Sequence, residues 1–584
     1  MEADNDVVVI EERDVVMVEE QDAVLISLEV SPTPSPPPAP PAPTSSTPSV
    51  KTEKGMEPEM VLHLQRLKAI SDAKEMERAR EYARVKALAE MQNYNQKFGK
   101  YPAKIHAQKV AKELKVRCGI IYLPGQVETN FEDSDQGYEF RQRRYFFYLS
   151  GADFPGCAVT YDISQDSLIL WIPQSDPKNI LWFGRTPTAD QVKELSMVDD
   201  VRPIPALDGY LRGVLRSMPT TTLYVLHNTQ VPRLDGAHFG YDATVLKAAM
   251  DNARVIKTGF EIAMIRKANA ISSLGHHAVL CRLKRLNSER EVESIFRGYC
   301  IAQGAKRQAY PVIAASGRNA ATLHYSANDE HLGGKQLMCL DAGAEWTCYA
   351  SDVTRTFPLS GKFSTEAAQI YNIVDRMQKE CIARVRPGIL FSALHLHACI
   401  IAVQELMKLG ILRGSQHEIF RTGTVAAFFP HGLGHHVGLE VHDVSGSGNL
   451  LFGQNETVRP RTRGPGGKRE SVSAVAVRDL FRDTFRPTAE SMAGNKLRPL
   501  ERHMVITIEP GIYFCKEYIE AYYLSFPEHR RFIDESVLEK YYDVGGVRIE
   551  DCILVTDTGF ENLTSAPKGE EMLKIINAGL PAGM

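Results

Sequence analysis

The chain has 584 residues and carries 68 Lys or Arg against 72 Asp or Glu, a formal net charge of −4. A chain so close to neutral gives no general reason to expect nucleic-acid binding, and it contains no run of about eighteen apolar residues that could span a membrane. The ten cysteines are scattered without a CxxC pair or a metal-finger spacing. With no secretory signal visible, we expect free thiols and a cytoplasmic protein.

The first hundred residues lack any pattern that could bury a core. Residues 2–30 are rich in acids, and residues 31–49 read SPTPSPPPAPPAPTSSTPS, which favours extended polyproline II. We therefore expect an acidic, Pro-rich disordered tail over residues 1–57. Residues 58–99 are rich in Ala, Glu, Lys, Arg and Met. They predict a charged helical linker, because the heptad seam that a coiled coil needs is poor.

Residues 100–250 alternate strand-like and helix-like segments. The runs CGIIYLPG, GCAVTYDI and SLILWIP are strand-like and lie between helical stretches, which predicts an α/β domain. The basic run Arg141, Arg143 and Arg144 within FRQRRYFFYLSG is expected to form a solvated or interface patch. An apolar stripe over residues 261–280 predicts a helix that packs into the core of the second half.

Four motifs in the second half carry side chains of the types that bind metals. They are LDAGAEWTCYASDVTRTF, HGLGHHVGLEVHD, VITIEPGIYF and GGVRIEDCILV. The five candidate ligands in them are Asp341, Asp352, His435, Glu509 and Glu550. Four carboxylates at one point would carry about four negative charges, and leaving them buried and unpaired would cost several kcal/mol each. Two divalent cations would neutralise that charge, so the set predicts a dinuclear metal site.

Asp341 and Asp352 can each be placed on a predicted strand. QLMCLDA is apolar and YASDVTRTF alternates with Thr and Val, so both flanks predict β-strands. If the chain folds back at Trp346-Thr347, the two aspartates lie directly opposite each other, with Cβ atoms roughly 4.5–5.5 Å apart. That separation suits metals about 3.5–4 Å apart. Glu550 shares a strand face with Arg548 by the period of two.

The histidines near these motifs are harder to place. His431 and His435 have the spacing of a helical zinc motif, but the two intervening glycines disfavour a helix and the Glu of HExxH is missing. A loop that enters a strand fits better. Strict alternation would put His435 and His442 on opposite faces, so a bend near Gly438 is required if both reach one site. His324 in ATLHYSAND, taken alone, is typical of a surface histidine.

In this order, HYSAN, LDAG, SDVTRTFP, HGLGHHVGLEVHD, TIEPGIYF and GGVRIEDCILVT resemble the motifs of the proline-specific metallopeptidases, aminopeptidase P and prolidase. The resemblance covers approximately residues 100–576. It implies a creatinase-like N-terminal α/β domain over residues 100–250 and an α+β catalytic domain of the pita-bread fold over residues 251–584. FRQRRYFFYLSG resembles that N-terminal domain, which the methionine aminopeptidases normally lack although they share the catalytic fold.

The resemblance also implies how the metals are held. Asp341 would hold one metal, Asp352 and Glu550 would bridge both, and His435 and Glu509 would complete the second. Oxygen donors with one imidazole suit Mn²⁺, while Zn²⁺ and Co²⁺ remain compatible with the geometry. We expect two divalent metal ions, with Mn²⁺ favoured.

The remaining motif residues receive substrate or transition-state roles through the same resemblance. A water activated by the two cations would attack the peptide carbonyl, and Glu509 would carry its proton to the leaving nitrogen. His442 and His431 would donate hydrogen bonds to the tetrahedral oxyanion. Arg548 would orient a ligating carboxylate, and His324 would contact the substrate.

One segment departs from the family pattern. After His442 the family soon reaches the strand that ends at Glu509, whereas here about sixty residues intervene. They include GPGGKRESVS and a cluster of arginines and lysines, and we interpret residues 445–497, approximately, as an exposed insertion. No aromatic residues are interleaved with the cations, so a nucleic-acid function for this cluster is not favoured.

Together these features predict a dinuclear-metal aminopeptidase that releases the N-terminal residue from peptides with Pro in the second position. Dipeptide-specific relatives hold the substrate carboxylate with an Arg before the Glu-bearing strand, and here only Arg498 could substitute for it. An Xaa-Pro dipeptidase (prolidase) is therefore the first alternative. The second is a catalytically inactive pita-bread module that binds a peptide or protein, which should have lost ligands that this chain keeps. A homodimer is a further option that the sequence leaves open.

Overall fold

The computed structural model describes residues 99–174, 176–218, 220–234, 239–446, 448, 450–451, 474, 477–478 and 497–579. The predicted tail, the predicted linker up to residue 98 and most of the predicted insertion lie outside the described residues. Everything described belongs to one compact unit, Arg84–Met584.

The first part of the described chain forms one six-stranded sheet covered by helices. The strands are β1 (Ile120–Pro124), β2 (Ala158–Asp162), β3 (Ser167–Ile172), β4 (Asp200–Pro203), β5 (Leu223–Tyr224) and β6 (Tyr241–Asp242). The helices are α1 (Ala103–Leu114), α2 (Arg144–Ser150), α3 (Pro177–Phe183), α4 (Ala189–Leu195), α5 (Leu207–Ser217) and α6 (Leu246–Val255). The strand order is β4-β3-β2-β1-β5-β6, and β2 pairs antiparallel with both β1 and β3 while the other pairs are parallel.

The apolar runs that predicted strands are buried on both faces of this sheet. Ile121 and Leu123 of β1 pack into one hydrophobic cluster. Ile120 and Tyr122 point the other way and pack into a second cluster with Trp171. Successive side chains of a strand alternate between faces, so a strand covered on both sides must be apolar at nearly every position.

The second part of the described chain combines long helices with several small sheets. Its helices are α7 (Gly259–Arg282), α8 (Glu289–Ala302), α9 (Thr365–Ile382), α10 (Phe391–Lys408), α11 (Gln416–Thr422), α12 (Lys516–Ile519), α13 (Pro527–Arg530), α14 (Glu535–Leu538) and α15 (Gly569–Ala578). Short 3₁₀ turns lie at Leu283–Arg285, Gly317–Ala321, Thr424–Ala427 and Tyr542–Val544, and a π-helical turn lies at Glu520–Leu524. Two further 3₁₀ turns, Ile204–Ala206 and Asn228–Gln230, belong to the first part.

The strands of this part form four sheets. They are β7 (Arg307–Gln308), β8 (Ile313–Ser316), β9 (Leu337–Asp341), β10 (Ala344–Trp346), β11 (Tyr349–Ala350), β12 (Thr354–Pro358), β13 (Val505–Ile508), β14 (Gly511–Tyr513), β15 (Gly546–Arg548), β16 (Asp551–Val555) and β17 (Phe560–Asn562). The sheet orders are β11-β10-β7, β12-β9-β8, β13-β16-β17 and β14-β15, and every pair is antiparallel.

The core helix predicted over residues 261–280 is present as α7. It begins at a capping box, in which the Thr258 hydroxyl accepts from the Glu261 N–H and the Glu261 carboxylate accepts from the Thr258 N–H at 2.8 Å. Such a box satisfies two of the N–H groups that a helix start leaves unpaired. Most of α7 is buried, because α8 and other elements pack around it.

The arginines of the basic run at the start of α2 differ in burial. Arg144 is buried and forms an ion pair with buried Glu345 of β10. Arg141 is exposed and donates two hydrogen bonds to the Glu440 carboxylate, at 3.2 and 2.6 Å. The interface interpretation is therefore correct for these two arginines, which connect the first part of the chain to the second.

Two sequence expectations about the whole chain can also be compared with the structure. None of the ten cysteines, all of which the structure describes, forms a disulfide. Among the described helices, none is both long and apolar enough to cross a membrane.

Gly275 of α7 provides a test of the α7–α8 packing. A Cβ added there would lie 2.8 Å from Phe296 Cε2, and Phe296 is fully buried on α8. Gly→Ala inside a helix normally stabilises by about 0.5–1 kcal/mol, but overpacking a core costs roughly 1–3 kcal/mol. We expect Gly275→Ala to lower the free energy of unfolding, measured by denaturant titration.

Gly298→Ala is the matched control, since Gly298 lies in α8 with open space around the added carbon. It should leave the stability unchanged or raise it slightly. Equal stabilisation by both substitutions would show that Phe296 does not close the space beside Gly275.

Candidate metal centre

The three sheets β12-β9-β8, β13-β16-β17 and β14-β15 meet at one point. Asp341 is the last residue of β9, and Glu550 follows β15 and forms an isolated bridge with Thr354 of β12. Glu509 follows β13 directly. The segment that carries His435 runs antiparallel to β13, with the Thr507 N–H donating to the His435 carbonyl at 2.8 Å.

The side chains at this point converge on a single cluster. Three overlapping groups have potential ligand atoms within 4.8 Å of one another: Asp341, Asp352 and Glu550; His435, Glu509 and Glu550; and Asp352, His435 and His442. The structure thus brings together all five residues predicted to bind metal and adds His442. They line a cavity of about 230 Å³.

The strand register that brings Asp341 and Asp352 together differs from the predicted one. Asp341 lies opposite Thr354, not Asp352, and the two-residue turn falls at Thr347 and Cys348, one residue later than expected. Both turn residues have positive φ, 48° and 64°, as a type I′ hairpin requires. Neither is the Gly or Asn that usually signals such a turn, so the sequence did not reveal it.

The error does not separate the two aspartates. Moving the turn by one residue shifts the partner of Asp341 by two positions, and side chains two positions apart share a face. Asp352 becomes a diagonal neighbour on the same side of the hairpin, where both carboxylates can reach one metal cluster.

Four hydrogen-bond donors hold the carboxylates in place. Asp341 accepts from Arg548 at 2.6 Å and from the Tyr310 hydroxyl at 2.7 Å. Thr354 donates to Glu550 at 2.6 Å, and Thr507 donates to Glu509 at 3.2 Å. The contact of Arg548 with Asp341 matches the orienting role expected for this arginine.

Tyr310 and Tyr513 are the site residues that sequence reasoning missed. Tyr310 lies in AYPVIAAS, far from every motif, and nothing local distinguishes it. Tyr513 lies inside TIEPGIYF, and its position at the end of β14 could have been noticed. Its hydroxyl accepts from Arg548 at 2.9 Å and lies 2.8 Å from His431 Nε2.

The pKa values of the cluster reflect several negative charges in a buried place. Burial, with the charges of Asp352 and Glu509, raises the pKa of Glu550 well above its usual range. Burial also raises the pKa of Asp352 to about 6, although the hydrogen bond from His435 opposes the rise. For Glu509 the burial effect is outweighed by His435, and the pKa falls to about 2.

This donor set fits divalent metal ions. Glu550 Oε1 is buried and has no hydrogen-bond partner among the described residues, an arrangement that costs about 1–3 kcal/mol or more for a charged group. His435 Nε2 lies 3.3 Å from both Asp352 and Glu509. Its other nitrogen, Nδ1, lies 3.0 Å from the His436 carbonyl and keeps its proton, so a metal that displaces the Nε2 proton finds there the lone pair that it needs.

The bend that the sequence required near Gly438 is present. The Gly438 N–H donates to the Glu440 carbonyl at 3.0 Å, and the Asp443 N–H returns to the His436 carbonyl at 2.9 Å. This turn brings the rings of His435 and His442 to a centroid separation of 4.4 Å. A helix over His431–His435 does not form, as the intervening glycines predicted.

A buried ion triad lies directly under this bend. The Asp443 carboxylate accepts from Arg254 at 2.5 Å and from Lys257 at 2.8 Å, and all three side chains are buried. A Cβ on Gly438 would collide with the Asp443 carboxylate. Only glycine at position 438 therefore allows the backbone of the bend to pack against the Asp443 carboxylate.

The other predicted residues are spread around the cavity. His324 and His431 line it, and the His324 ring centre lies 6.4 Å from that of His442. Arg498 does not line it, since its side chain bonds Glu501 at 2.5 Å and borders a separate cavity. Arg498 therefore does not fit the role of a carboxylate anchor at the metal cluster.

Comparison with known proteins agrees with this geometry. Residues 263–557 match metallopeptidase family M24, and residues 104–224 match the aminopeptidase P N-terminal domain. The chain therefore belongs to metallopeptidase family M24. The predicted fold class, an N-terminal α/β domain followed by a pita-bread catalytic domain, is confirmed, and the family implies bound divalent metal.

Within that family the chain is similar to fungal proteins. It is 52% identical to a protein of Sordaria macrospora named "probable Xaa-Pro aminopeptidase", covering 83% of this chain and 87% of that one. A protein of Metarhizium acridum with the same name is also 52% identical, over 82% of this chain and 94% of the relative. The fold is similar to that of aminopeptidase P from E. coli with the inhibitor Pro-Leu, with a TM-score of 0.62, 26% identity, and coverage of 81% of this chain and 98% of the other.

Asp352→Asn tests the metal cluster. Because Asp352 contributes to two of the three ligand groups, we expect the bound metal to fall and peptidase activity to be lost, with metal content measured by plasma mass spectrometry. The metal-free variant should melt at a higher temperature than metal-free wild type. At low pH both side chains are neutral, so this advantage should grow from about pH 4, where Asp352 of the unfolded chain ionises, and level off above about 6, the pKa in the folded state.

Asp557→Asn is the control, since Asp557 is exposed and pairs only with exposed Arg502 among the described residues. It should leave metal content and activity unchanged. Full metal content and activity in Asp352→Asn would refute the assignment of Asp352.

Gly438→Ala tests the bend. The added methyl should push the Asp443 carboxylate away from its two cations and displace His442, and a misplacement of about 1 Å can cost roughly a hundredfold in rate. We expect kcat to fall by about 10–100-fold while the bound metal stays near the wild-type level. Gly559→Ala, where the added carbon meets nothing within 4 Å, should behave as wild type. An unchanged kcat in Gly438→Ala would show that the bend does not control His442.

Proposed function

We propose that the chain is a dinuclear-metal Xaa-Pro aminopeptidase, which hydrolyses the bond between the N-terminal residue of a peptide and a proline in the second position. The observation that carries this proposal is the convergence of four carboxylates and one imidazole at the junction of three sheets. Its relatives, named for the same activity over most of their length, support it.

We assign the metal ligands as the family resemblance implies. Asp341 would hold one ion, Asp352 and Glu550 would contribute to both sites, and His435 and Glu509 would complete the second. Mn²⁺ is the proposed metal because oxygen donors dominate the set. When bound, the ions supply an acidified water and an electrophile for the scissile carbonyl.

Glu509 is the proposed proton carrier. Its Oε1 accepts from Thr507 and faces His435, which leaves Oε2 to take the proton of the attacking water. The low pKa of this carboxyl keeps it ionised and able to accept. It can then pass the proton to the proline nitrogen as the peptide bond breaks.

His442 is the proposed donor to the oxyanion that forms on the carbonyl. Burial and the neighbouring His435 lower its pKa, so the ring is neutral and has one N–H. Neither ring nitrogen has a hydrogen-bond partner among the described residues. An N–H that is free before the reaction can bond most strongly when the oxyanion develops.

The oxyanion role expected for His431 does not fit its contacts. Its Nδ1 lies 2.8 Å from the Gly432 carbonyl and therefore carries the proton, and its Nε2 then accepts from the Tyr513 hydroxyl. No N–H remains for a substrate. We propose that His431 orients Tyr513, which in turn contacts Arg548.

The metal cavity offers no unused Lys or Arg side chain among its described lining residues, which favours an aminopeptidase over a dipeptidase. Among the described residues that line it, Arg548 is the sole Lys or Arg. Its guanidinium already bonds Asp341, Tyr513 and Thr354. A dipeptide carboxylate would find no unused cation there, whereas a longer peptide places its carboxylate elsewhere.

Ten free cysteines, most of them buried, support a reducing compartment, and we propose the cytoplasm.

Substrate length separates the two enzyme classes. With the Mn²⁺-loaded protein we expect Arg-Pro-Pro to be hydrolysed with kcat/KM at least as high as that of Gly-Pro. The reason is that no unused Lys or Arg of the described cavity lining is available to bind the dipeptide carboxylate. Acetylating the N-terminal amine should abolish both reactions. Hydrolysis of Gly-Pro with inert tripeptides would identify a prolidase instead. A fully metal-loaded protein that cleaves neither peptide would favour the inactive binding module.

A further inference from the structure

A second cavity, of about 460 Å³, lies next to the metal cavity and has no part in the chemistry above. The two share one loop: His324 lines the metal cavity, while Ser326 and Asn328 line the second. They also meet at Tyr310, which borders the second cavity and donates its hydroxyl proton to Asp341. A chain that leaves the metal site over this loop would enter the second cavity.

The second cavity is predominantly basic, and we call it the basic cavity. Its charged lining residues are Arg141, Arg297, Lys306, Arg307, Glu139 and Glu293. Arg297 bonds Glu293 at 2.9 Å, and Arg307 bonds Asp153 at 2.7 Å. Lys306 is exposed and makes no ion pair with any described residue, so its charge is available to a ligand.

The wall of the basic cavity also offers an unsatisfied amide. Both Nε2 and Oε1 of Gln308 are buried without a hydrogen-bond partner among the described residues. A buried polar group left unpaired is costly, and this amide needs one acceptor and one donor. A peptide unit supplies one of each. Gln308 lies on β7, an edge strand of its sheet, where an extended peptide can run beside the backbone.

We propose that the basic cavity is the downstream subsite of the enzyme. It receives the part of an extended peptide that follows the proline, with Gln308 contacting the peptide backbone and Lys306 recognising the free C-terminal carboxylate. This inference rests on the proposed aminopeptidase function and names its substrate class: short peptides with a free carboxylate that reach beyond the metal cavity.

The experiment uses two peptide series, Arg-Pro-(Ala)n with a free carboxylate and the same peptides as C-terminal amides. Each added residue extends the reach by about 3.3–3.6 Å, so KM for the acids should drop at one particular length. At that length the amide should have a KM about three- to tenfold higher, the scale of one partly exposed ion pair. The kcat should be the same for both.

Two variants assign the effect to residues. Lys306→Gln should raise KM for the acid to that of the amide and leave the amide unchanged. Gln308→Met should raise KM for both series. Lys362→Gln, an exposed lysine away from both cavities, is the control and should change neither.

Two results would overturn the inference: equal KM for acids and amides at every length, or a Lys306→Gln effect of the same size on both series. In either case the wild-type enzyme would still turn over Xaa-Pro peptides. Failure of the proposed function is different, because metal-loaded wild type would then cleave no peptide of either series.

Discussion

Repulsion among four carboxylates gathered at one buried point is the constraint on which the rest of this structure depends. The fold places oxygens of Asp341, Asp352 and Glu550 within 4.8 Å of one another, and an oxygen of Glu509 within the same distance of Glu550. Burial and mutual charge raise the pKa of Glu550 and Asp352. Such an arrangement needs protons or metal cations to compensate its charge, so metal binding at the cluster is coupled to the protonation of these carboxylates.

The surrounding side chains keep this cluster in position. Arg548 is the one guanidinium among the described lining residues, and it is divided between Asp341, Tyr513 and Thr354. Each of its three nitrogens already donates to a protein group, so a substrate carboxylate finds no guanidinium nitrogen without a partner. The same arginine thus positions the ligands, and under the proposed function its existing bonds favour longer substrates over dipeptides.

The first part of the chain contributes to the site through charge as well as through packing. Arg144 pairs with Glu345 inside the hairpin that carries the two aspartates. Arg141 pairs with Glu440 in the bend that carries His442. The Arg144 pair is buried, so losing one partner would leave an unpaired buried charge. The Arg141 pair is exposed and contributes little to stability, but it can still fix the orientation of the bend.

The sequence by itself determined the chemistry of the site and the type of each element that carries it. Residue types fix which atoms can bind a metal, the periods of strand and helix fix which faces are apolar, and the Thr258 capping box marks where α7 begins. These are local properties of neighbouring residues, so they are readable without knowing the fold. They were sufficient to single out the five candidate ligands and the N-terminal α/β domain, whereas the pita-bread domain was expected from the resemblance to the proline-specific metallopeptidases.

Only the tertiary structure decided the register of the hairpin, the bend at Gly438 and the part played by Tyr310. The hairpin turns at Thr347 and Cys348, which both have positive φ. Residues without a glycine's freedom rarely adopt this conformation, and here the strand pairing on either side of the turn holds them in it. The bend depends on Asp443 meeting Arg254, a residue 189 positions away. Tyr310 lies in the loop between β7 and β8 and reaches Asp341 because β8 pairs with β9. Each depends on contacts between distant segments, which no local pattern encodes.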